Sequence, residues 1–310
     1  MNLLQEKWEK SATIRCRPRV HFDIEHKGYF YPFSRQPLCI HPDIQGLNDQ
    51  DLHYLLLQSF YKYNNDIATI ETNFVNQAIL LVINNKLPIF FTSQQKLDLY
   101  TVMIDETYHA YVAYDAMQKI EIHTGIKSLP LPSIIEIELA LLTVQKKLPF
   151  HYHSLFLLIA VCVAENTLTK DIINMMHQPE THPFFQRIIQ DHYADESRHA
   201  GIFFNLLSYI WQNISDDCKQ QIAIILPEFL TLYLDIQIQN NFDKQIMLAL
   251  NFTEATANKI LHDTYSHFKV THDHPMLKNI LTILDKAGVI DEFTTPYFET
   301  INWFSPSLNC

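Results

Sequence analysis

A nine-residue stretch, Asp191-His192-Tyr193-Ala194-Asp195-Glu196-Ser197-Arg198-His199, holds the side chains best suited to chemistry. Residues three and four apart share one face of a helix, so His192, Glu196 and His199 should point the same way. Apolar residues before and after them continue that face and predict that it is buried. A buried ionised carboxylate is costly unless it is paired or bound to a metal. Either this face is solvated, or a positive charge lies in front of it.

A second Glu-x-x-His pair, Glu106 and His109, lies in the apolar stripe of another predicted helix. Roughly one such pair is expected by chance in a chain of this composition, so position matters more than number. Two further predicted helices each place one glutamate, Glu71 or Glu165, inside an apolar stripe. The order Glu, Glu-x-x-His, Glu, Glu-x-x-His is typical of the di-iron or di-manganese carboxylate centre of a ferritin-like four-helix bundle. Four carboxylates also balance the charge of two divalent ions.

The mixture of carboxylate and imidazole ligands favours iron or manganese over zinc, which prefers four-coordinate nitrogen and sulfur sites. Iron is favoured by chemistry, since a pair of Fe(II) ions can reduce O2, but the spacing leaves manganese open. Asp105 and Asp195 directly precede the glutamates of the two pairs. Asp105 could accept the second ring N–H of His199, and Asp195 that of His109, which would fix both tautomers. The sequence is equally consistent with surface positions for the two aspartates.

The rest of the chain predicts one all-α domain of 310 residues that carries this centre. Only five glycines and 47% hydrophobic residues argue against a β sandwich or a Rossmann sheet. The formal net charge of −11 makes a nucleic-acid partner unfavourable. The longest apolar run, residues 155–164, is too short to span a membrane. Five dispersed cysteines and the absence of a signal-peptide pattern at the start predict a cytoplasmic location.

The predicted elements fall into three parts. Residues 1–46 alternate basic, aromatic and proline residues without a helical period, which predicts an extended arm that packs on the main body or serves as a pocket lid or dimer contact. Residues 65–213 hold the metal-binding helices, and residues 214–310 hold accessory helices. The predicted helices run from about 48 to 84 as one or two segments, from Ser93 as cap to 123, and over 133–147, 150–176, 183–213, 216–238, 243–265 and 275–287. The last twenty residues are predicted to be irregular.

His192 adds a third histidine to the pattern and gives His-x-x-x-Glu-x-x-His, whereas most ferritin-like di-iron enzymes have two histidine ligands. Glu71 and Glu106 are 35 residues apart, Glu106 and Glu165 are 59 apart, and Glu165 and His192 are 27 apart. In both features residues 65–210 resemble the p-aminobenzoate N-oxygenase (AurF-like) family of ferritin-like di-iron arylamine oxygenases. The resemblance implies seven metal ligands, which are Glu71, Glu106, His109, Glu165, His192, Glu196 and His199. It further implies that Glu106 or Glu196 bridges the ions and that His192 is the supplementary ligand of one of them.

The resemblance also implies a reaction. Two iron ions would activate O2 as co-substrate and oxygenate the nitrogen of a small, aryl amine towards a hydroxylamine, nitroso or nitro product. Two further electrons would come from a reductase, a small reductant or the substrate. Two alternatives stay open: a di-iron hydroxylase or desaturase that acts on carbon, and a non-enzymatic ferritin-like protein that stores iron or binds O2. A homodimer also stays open.

The substrate pocket is the least defined part of the prediction. Six residues about one turn from the ligands are candidates for its wall, although each would also suit the core: Phe74, Met103, Cys162, Thr169, Ile189 and Phe203. A carboxylated arylamine would need a basic anchor. Arg187 and Arg198 lie on the fourth ligand helix, but the sequence does not show whether either faces the cavity.

Overall fold

The computed structural model describes the backbone of residues 3–23, 25–175 and 178–303, and the side chains of these ranges outside 168–177. The described residues form helices and no strand, which confirms the predicted all-α fold. The helices are α1 (Leu3–Ser11), α2 (Thr13–Cys16), α3 (Pro42–Gln45), α4 (Asp49–Ile70), α5 (Asn76–Ile83), α6 (Ser93–Thr124), α7 (Glu136–Val144), α8 (His153–Met175), α9 (Pro183–Asn213), α10 (Asp216–Tyr233), α11 (Gln237–Ala249), α12 (Glu254–Tyr265), α13 (Pro275–Lys286) and α14 (Thr295–Thr300).

A four-helix bundle forms the centre of the molecule. Its members are α4 continued by α5, α6, α8 and α9; α4 packs along α6, α8 packs along α9, and α5 and α6 contact α8 and α9. The short connections within each pair make the paired helices antiparallel. Accessory helices cover the bundle, with α13 against α8 and α7 against α10. This is the predicted ferritin-like layout with additional helices.

The apolar interior of the bundle is divided into two clusters. On α9, apolar residues of 184–189 belong to one cluster and those of 203–211 belong to the other. On α6 the same division separates Leu99 and Val102 from Ala116 and Ile120. The segments between the clusters carry the buried polar residues. Hydrophobic packing at both levels therefore holds the four helices together and leaves a polar layer between them.

The helix boundaries differ from the prediction in three places. The cap of α6 is Thr92 rather than Ser93. The Thr92 hydroxyl accepts a hydrogen bond from the Gln95 backbone N–H, and the Gln95 side-chain oxygen accepts one from the Thr92 backbone N–H. The single helix predicted over 243–265 is wrong. The structure has α11 and α12 there, because the chain turns at Asn251, whose φ is +64°, and Thr253 caps α12. The predicted irregular end contains the short helix α14.

The N-terminal segment also differs from the predicted extended arm. Its first part forms α1 and α2, and short turns and α3 occupy residues 33–45. No residue of α1 is fully buried, so this helix lacks the apolar stripe by which a helix is recognised in a sequence. Its order comes instead from contacts with the bundle, which are described with the site below.

One stretch, Asp216–Ala249, is long and apolar enough to cross a membrane by length and composition alone. This is weak evidence, because the core helices of proteins without membrane spans pass the same test. The structure divides the stretch into α10 and α11, and α10 buries Ile222, Leu226 and Phe229 against the rest of the protein.

Candidate metal centre

The structure brings all seven predicted ligands together in the polar layer of the bundle. The turn between α4 and α5 supplies one glutamate, α6 supplies a glutamate and a histidine, α8 supplies one glutamate, and α9 supplies three residues. None of the seven side chains is more than 6% exposed: Glu71, Glu106, His109, Glu165, His192, Glu196 and His199. Each of the four bundle members thus contributes a glutamate carboxylate to the same buried cluster.

The seven residues form two overlapping groups, each able to hold a metal ion. One contains Glu71, His109, His192 and Glu196, and the other contains Glu106, Glu165, Glu196 and His199. Within each group, one ligand atom from every residue lies within 4.8 Å of the others. Glu196 belongs to both groups and therefore has the position of a bridging carboxylate.

Glu106 also extends towards both groups. Its Oε2 lies 2.9 Å from His109 Nδ1, and its Oε1 lies 2.7 Å from His199 Nδ1. The two oxygens of one carboxylate thus face histidines of different groups. The sequence leaves open whether Glu106 or Glu196 bridges the ions, and the geometry gives both residues bridging positions.

A π-helical turn, Glu71–Val75, joins α4 to α5 and places the first ligand. The Asn76 N–H donates to the Glu71 carbonyl, five residues back, so the turn accommodates one more residue than an α-helical turn. Such turns occur frequently at functional sites because the additional residue redirects neighbouring side chains. Here Glu71 Oε1 lies 3.6 Å from His192 Nε2. Nothing in the local sequence signals this turn.

Several buried polar atoms of the cluster have no hydrogen-bond partner among the described residues. They include both carboxylate oxygens of Glu165 and of Glu196 and the Oε2 of Glu71. His199 Nδ1 and Glu106 Oε1 are close, yet the two atoms are not aligned as a hydrogen bond. Buried polar atoms are normally paired, and leaving several carboxylates unpaired in one place is costly. Two divalent cations would satisfy these converging lone pairs, so the residues fit a di-metal site.

The electrostatics of the cluster favour bound protons when no cation is present. Burial raises the pKa of Glu71 and Glu165 well above the usual carboxyl value, and neighbouring carboxylates add to this effect. Burial and the charge of Glu196 also act to raise the pKa of Glu106, but the adjacent histidines outweigh them and lower it to about 2. Burial opposes protonation of His109 and His199, yet the surrounding carboxylates raise the pKa of both rings well above their usual value.

Two aspartates orient two of the histidines from outside the cluster. His109 Nε2 lies 3.1 Å from Asp195 Oδ2, and His199 Nε2 lies 3.1 Å from Asp105 Oδ2, which is the pairing that the sequence predicts. Both aspartates are buried. When each Nε2–H donates to its aspartate, each Nδ1 presents its lone pair to the metal position.

Arg198 and the N-terminal helices hold these aspartates in place. One guanidinium nitrogen of Arg198 donates to both Asp105 and Asp195, so this arginine does not lie free in a cavity as a substrate anchor. The Thr13 backbone N–H donates to Asp195 at 3.1 Å, and the Trp8 indole N–H donates to Asp105 at 2.9 Å. Sequence reasoning missed Trp8 and Thr13, because no motif in the first twenty residues marks them.

Asp195→Asn should lower the affinity for iron by roughly 10- to 100-fold, because the amide is a poorer acceptor for His109 and loses the charge that faces Arg198. The measurement is Fe(II) titration followed by metal analysis. Asp191→Asn is the matched control, since Asp191 lies one turn earlier on α9 and pairs with exposed Arg17. Equal affinities for the two variants would contradict the orienting role of Asp195.

A narrow cavity of about 30 Å³ reaches the group that contains His109 and His192. Apolar side chains of α4, α6 and α9 form much of its wall, and Arg19, which is paired with Asp115, lies at its edge. Of the six predicted pocket residues, Ile189 lines this cavity. Met103 lines a separate surface groove, Phe74, Cys162 and Phe203 pack in the core, and the side chain of Thr169 lies outside the described residues.

Comparison with known proteins gives one family. The model of the family described as P-aminobenzoate N-oxygenase AurF matches residues 2–274. The match includes all seven candidate ligands, both aspartates and the N-terminal helices that contact them. A search of curated proteins found no match.

Proposed function

The chain belongs to the p-aminobenzoate N-oxygenase family, and from that premise we propose that it is a di-iron monooxygenase that oxygenates the nitrogen of a small aryl amine. The observation that carries the proposal is the pair of buried ligand groups that share Glu196. A bound pair of iron ions supplies the electrons and the coordination positions that O2 activation requires. Manganese would suit the same ligand types.

The electron count of the proposed reaction requires an external donor. Conversion of an amine R–NH2 to a hydroxylamine R–NHOH by O2 also produces one water molecule and consumes two electrons and two protons. A reductase or a small reductant would supply these two electrons, and this donor is part of the proposal. With another O2, two electrons and two protons, R–NHOH would give R–NO and two water molecules, and a third such round would give R–NO2 and one water molecule.

The protein's own residues would prepare this centre in three ways. Asp105 and Asp195 fix the tautomers of His199 and His109, and Arg198 donates to both aspartates and holds them in position. The apolar side chains in the wall of the narrow cavity offer a surface against which an aromatic ring would pack. Because the cavity reaches His109 and His192, an amine that enters it would meet this side of the centre.

The proposal is tested by loading the protein with Fe(II), supplying a reductant, and admitting ¹⁸O2 with and without p-aminobenzoate as probe. We expect hydroxylamine, nitroso or nitro products that carry ¹⁸O on nitrogen, detected by mass spectrometry. Oxygenation of ring carbon, or of aliphatic substrates alone, would favour the hydroxylase alternative. Ferric mineral formation without any organic product would favour iron storage. Either result would contradict N-oxygenation.

A further inference from the structure

A continuous chain of contacts leads from the N-terminal helix α1 to one of the metal ligands. The Trp8 indole Nε1–H donates to Asp105 Oδ1 at 2.9 Å. The other carboxylate oxygen of Asp105 lies 3.1 Å from His199 Nε2. The remaining ring nitrogen of His199 faces the ligand group of Glu106, Glu165 and Glu196. Three side chains therefore connect α1 to the candidate metal position through two hydrogen bonds.

The outer end of this chain is accessible. Trp8 is half-buried, and the guanidinium of Arg15 lies 5.4 Å from the centre of its ring. A cavity of about 190 Å³ lies between α1, α6 and α9, and its wall includes Trp8, Asp105 and His199. A donor bound against α1 could therefore approach the indole ring closely.

The other half of the centre is built differently. There His109 contacts Asp195, and the group that completes the chain is the backbone N–H of Thr13. The two halves share the pairing of a histidine with an aspartate. Of the two chains, the one through His199 ends at an aromatic ring, and the one through His109 ends at a peptide group. This asymmetry is unexplained if both aspartates serve only to orient their histidines.

We propose that Trp8, Asp105 and His199 form the route by which electrons from an external donor reach the metal pair. This inference rests on the proposed function, which consumes two electrons from outside in each N-oxygenation. In each transfer the donor loses one electron and one Fe(III) becomes Fe(II), and two transfers restore the reduced pair. The indole and the carboxylate act as a tunnelling bridge, so no covalent bond of theirs forms or breaks.

Size and charge both favour the N-terminal segment as the place where a protein electron donor would bind. A protein donor cannot enter the cavity of about 30 Å³ beside His109 and His192. The first twenty residues contain five basic and two acidic residues, whereas the whole chain carries a net charge of −11. Arg15, Arg17 and Arg19 are paired with acidic residues, but Lys7 and Lys10 are exposed on α1. These two lysines would attract an acidic one-electron carrier to the helix that holds Trp8. A plant-type [2Fe–2S] ferredoxin is a suitable probe, because it is acidic and transfers one electron at a time.

The test compares the rates at which reduced ferredoxin bleaches the ferric absorbance of the iron-loaded protein under anaerobic conditions. Trp8→Phe keeps an aromatic ring but removes the N–H that contacts Asp105. We expect it to slow reduction by roughly tenfold, which corresponds to about 1.4 kcal/mol in activation free energy. Trp211→Phe is the matched control. Trp211 lies further along α9 and its indole N–H donates to Asp291, so this variant should be reduced at the rate of the unmodified protein.

Iron content and reduction potential are measured on the same samples. Both should be unchanged by Trp8→Phe, because a tunnelling bridge alters the rate of transfer and not the stability of either oxidation state. Equal reduction rates in Trp8→Phe and the unmodified protein would overturn the route. A slower rate explained by lost iron or by a shifted potential would also overturn it, since Trp8 would then only support Asp105. Failure of the unmodified protein to bind iron would instead contradict the proposed function.

Discussion

Replacing Glu196 by glutamine is expected to remove both metal ions and to abolish oxygenation. Glu196 is the residue shared by the two ligand groups, and neither of its carboxylate oxygens has a hydrogen-bond partner among the described residues. Glutamine preserves the volume of the side chain but cannot supply an anionic bridge. Loss of the bound ions should reduce the rate of amine oxygenation by ~10³-fold or more, equal to about 4 kcal/mol of transition-state stabilisation.

Metal analysis of the purified protein and product formation from p-aminobenzoate measure this effect. Glu292→Gln is the matched control, because Glu292 is exposed and lies outside the bundle. Circular dichroism of both variants shows whether the helical fold is retained. A Glu196→Gln protein that keeps two iron ions per chain and oxygenates the amine at the normal rate would exclude Glu196 as a bridging ligand.

Loading with Fe(II) is expected to stabilise the protein strongly. A single ion at one hundred times its Kd contributes ~2.7 kcal/mol, and two ions contribute more. For a chain of this length the corresponding rise in Tm is at least ~4 °C. Differential scanning calorimetry of metal-free and iron-loaded protein under anaerobic conditions measures it. Equal melting temperatures would show that no ion occupies the buried cluster.

The stabilisation by iron should also depend on pH. The pKa values of Glu71 and Glu165, and of His109 and His199, are raised, so these groups bind protons more readily in the metal-free protein than ordinary carboxyl and imidazole groups do. A cation must displace those protons, so lower pH favours the protonated, metal-free form. The rise in Tm should therefore shrink as the pH falls from 8 to 6. A rise that is constant or grows over this interval would contradict the assigned proton positions.

The metal cluster could be predicted from sequence because its physical requirements are local. A glutamate inside an apolar stripe, such as Glu71 or Glu165, is informative because burial of its charge needs compensation. The i, i+3 and i, i+4 spacings in α9 place His192, Glu196 and His199 on one face. The contacts of Asp105 and Asp195 with histidines of the opposite helix follow from the same periodicity, applied to two antiparallel helices.

Other parts of the site depend on contacts that no local pattern records. Trp8 and Asp105 are 97 positions apart, and Thr13 and Asp195 are 182 positions apart, so their contacts follow from the tertiary fold alone. The π turn at Glu71 depends on a hydrogen-bond register that its side chains do not determine.

The pocket residues show a related limit. Periodicity indicates which side chains point inward, but it does not separate those that border a cavity from those that fill the core. Ile189 borders the cavity, whereas Phe203, which lies on the same helix and also faces inward, is fully packed. The cavity arises where the side chains of three helices leave a space, and that depends on their combined shapes.

A crystal structure of the iron-loaded protein, with anomalous scattering measured at the iron absorption edge, tests the di-metal centre most directly. We expect two anomalous peaks in the polar layer, one within coordination distance of Glu71, His109 and His192, the other within coordination distance of Glu165 and His199. Glu196 should contact both. A single peak, or peaks bound by residues outside this set, would contradict the proposed di-metal centre.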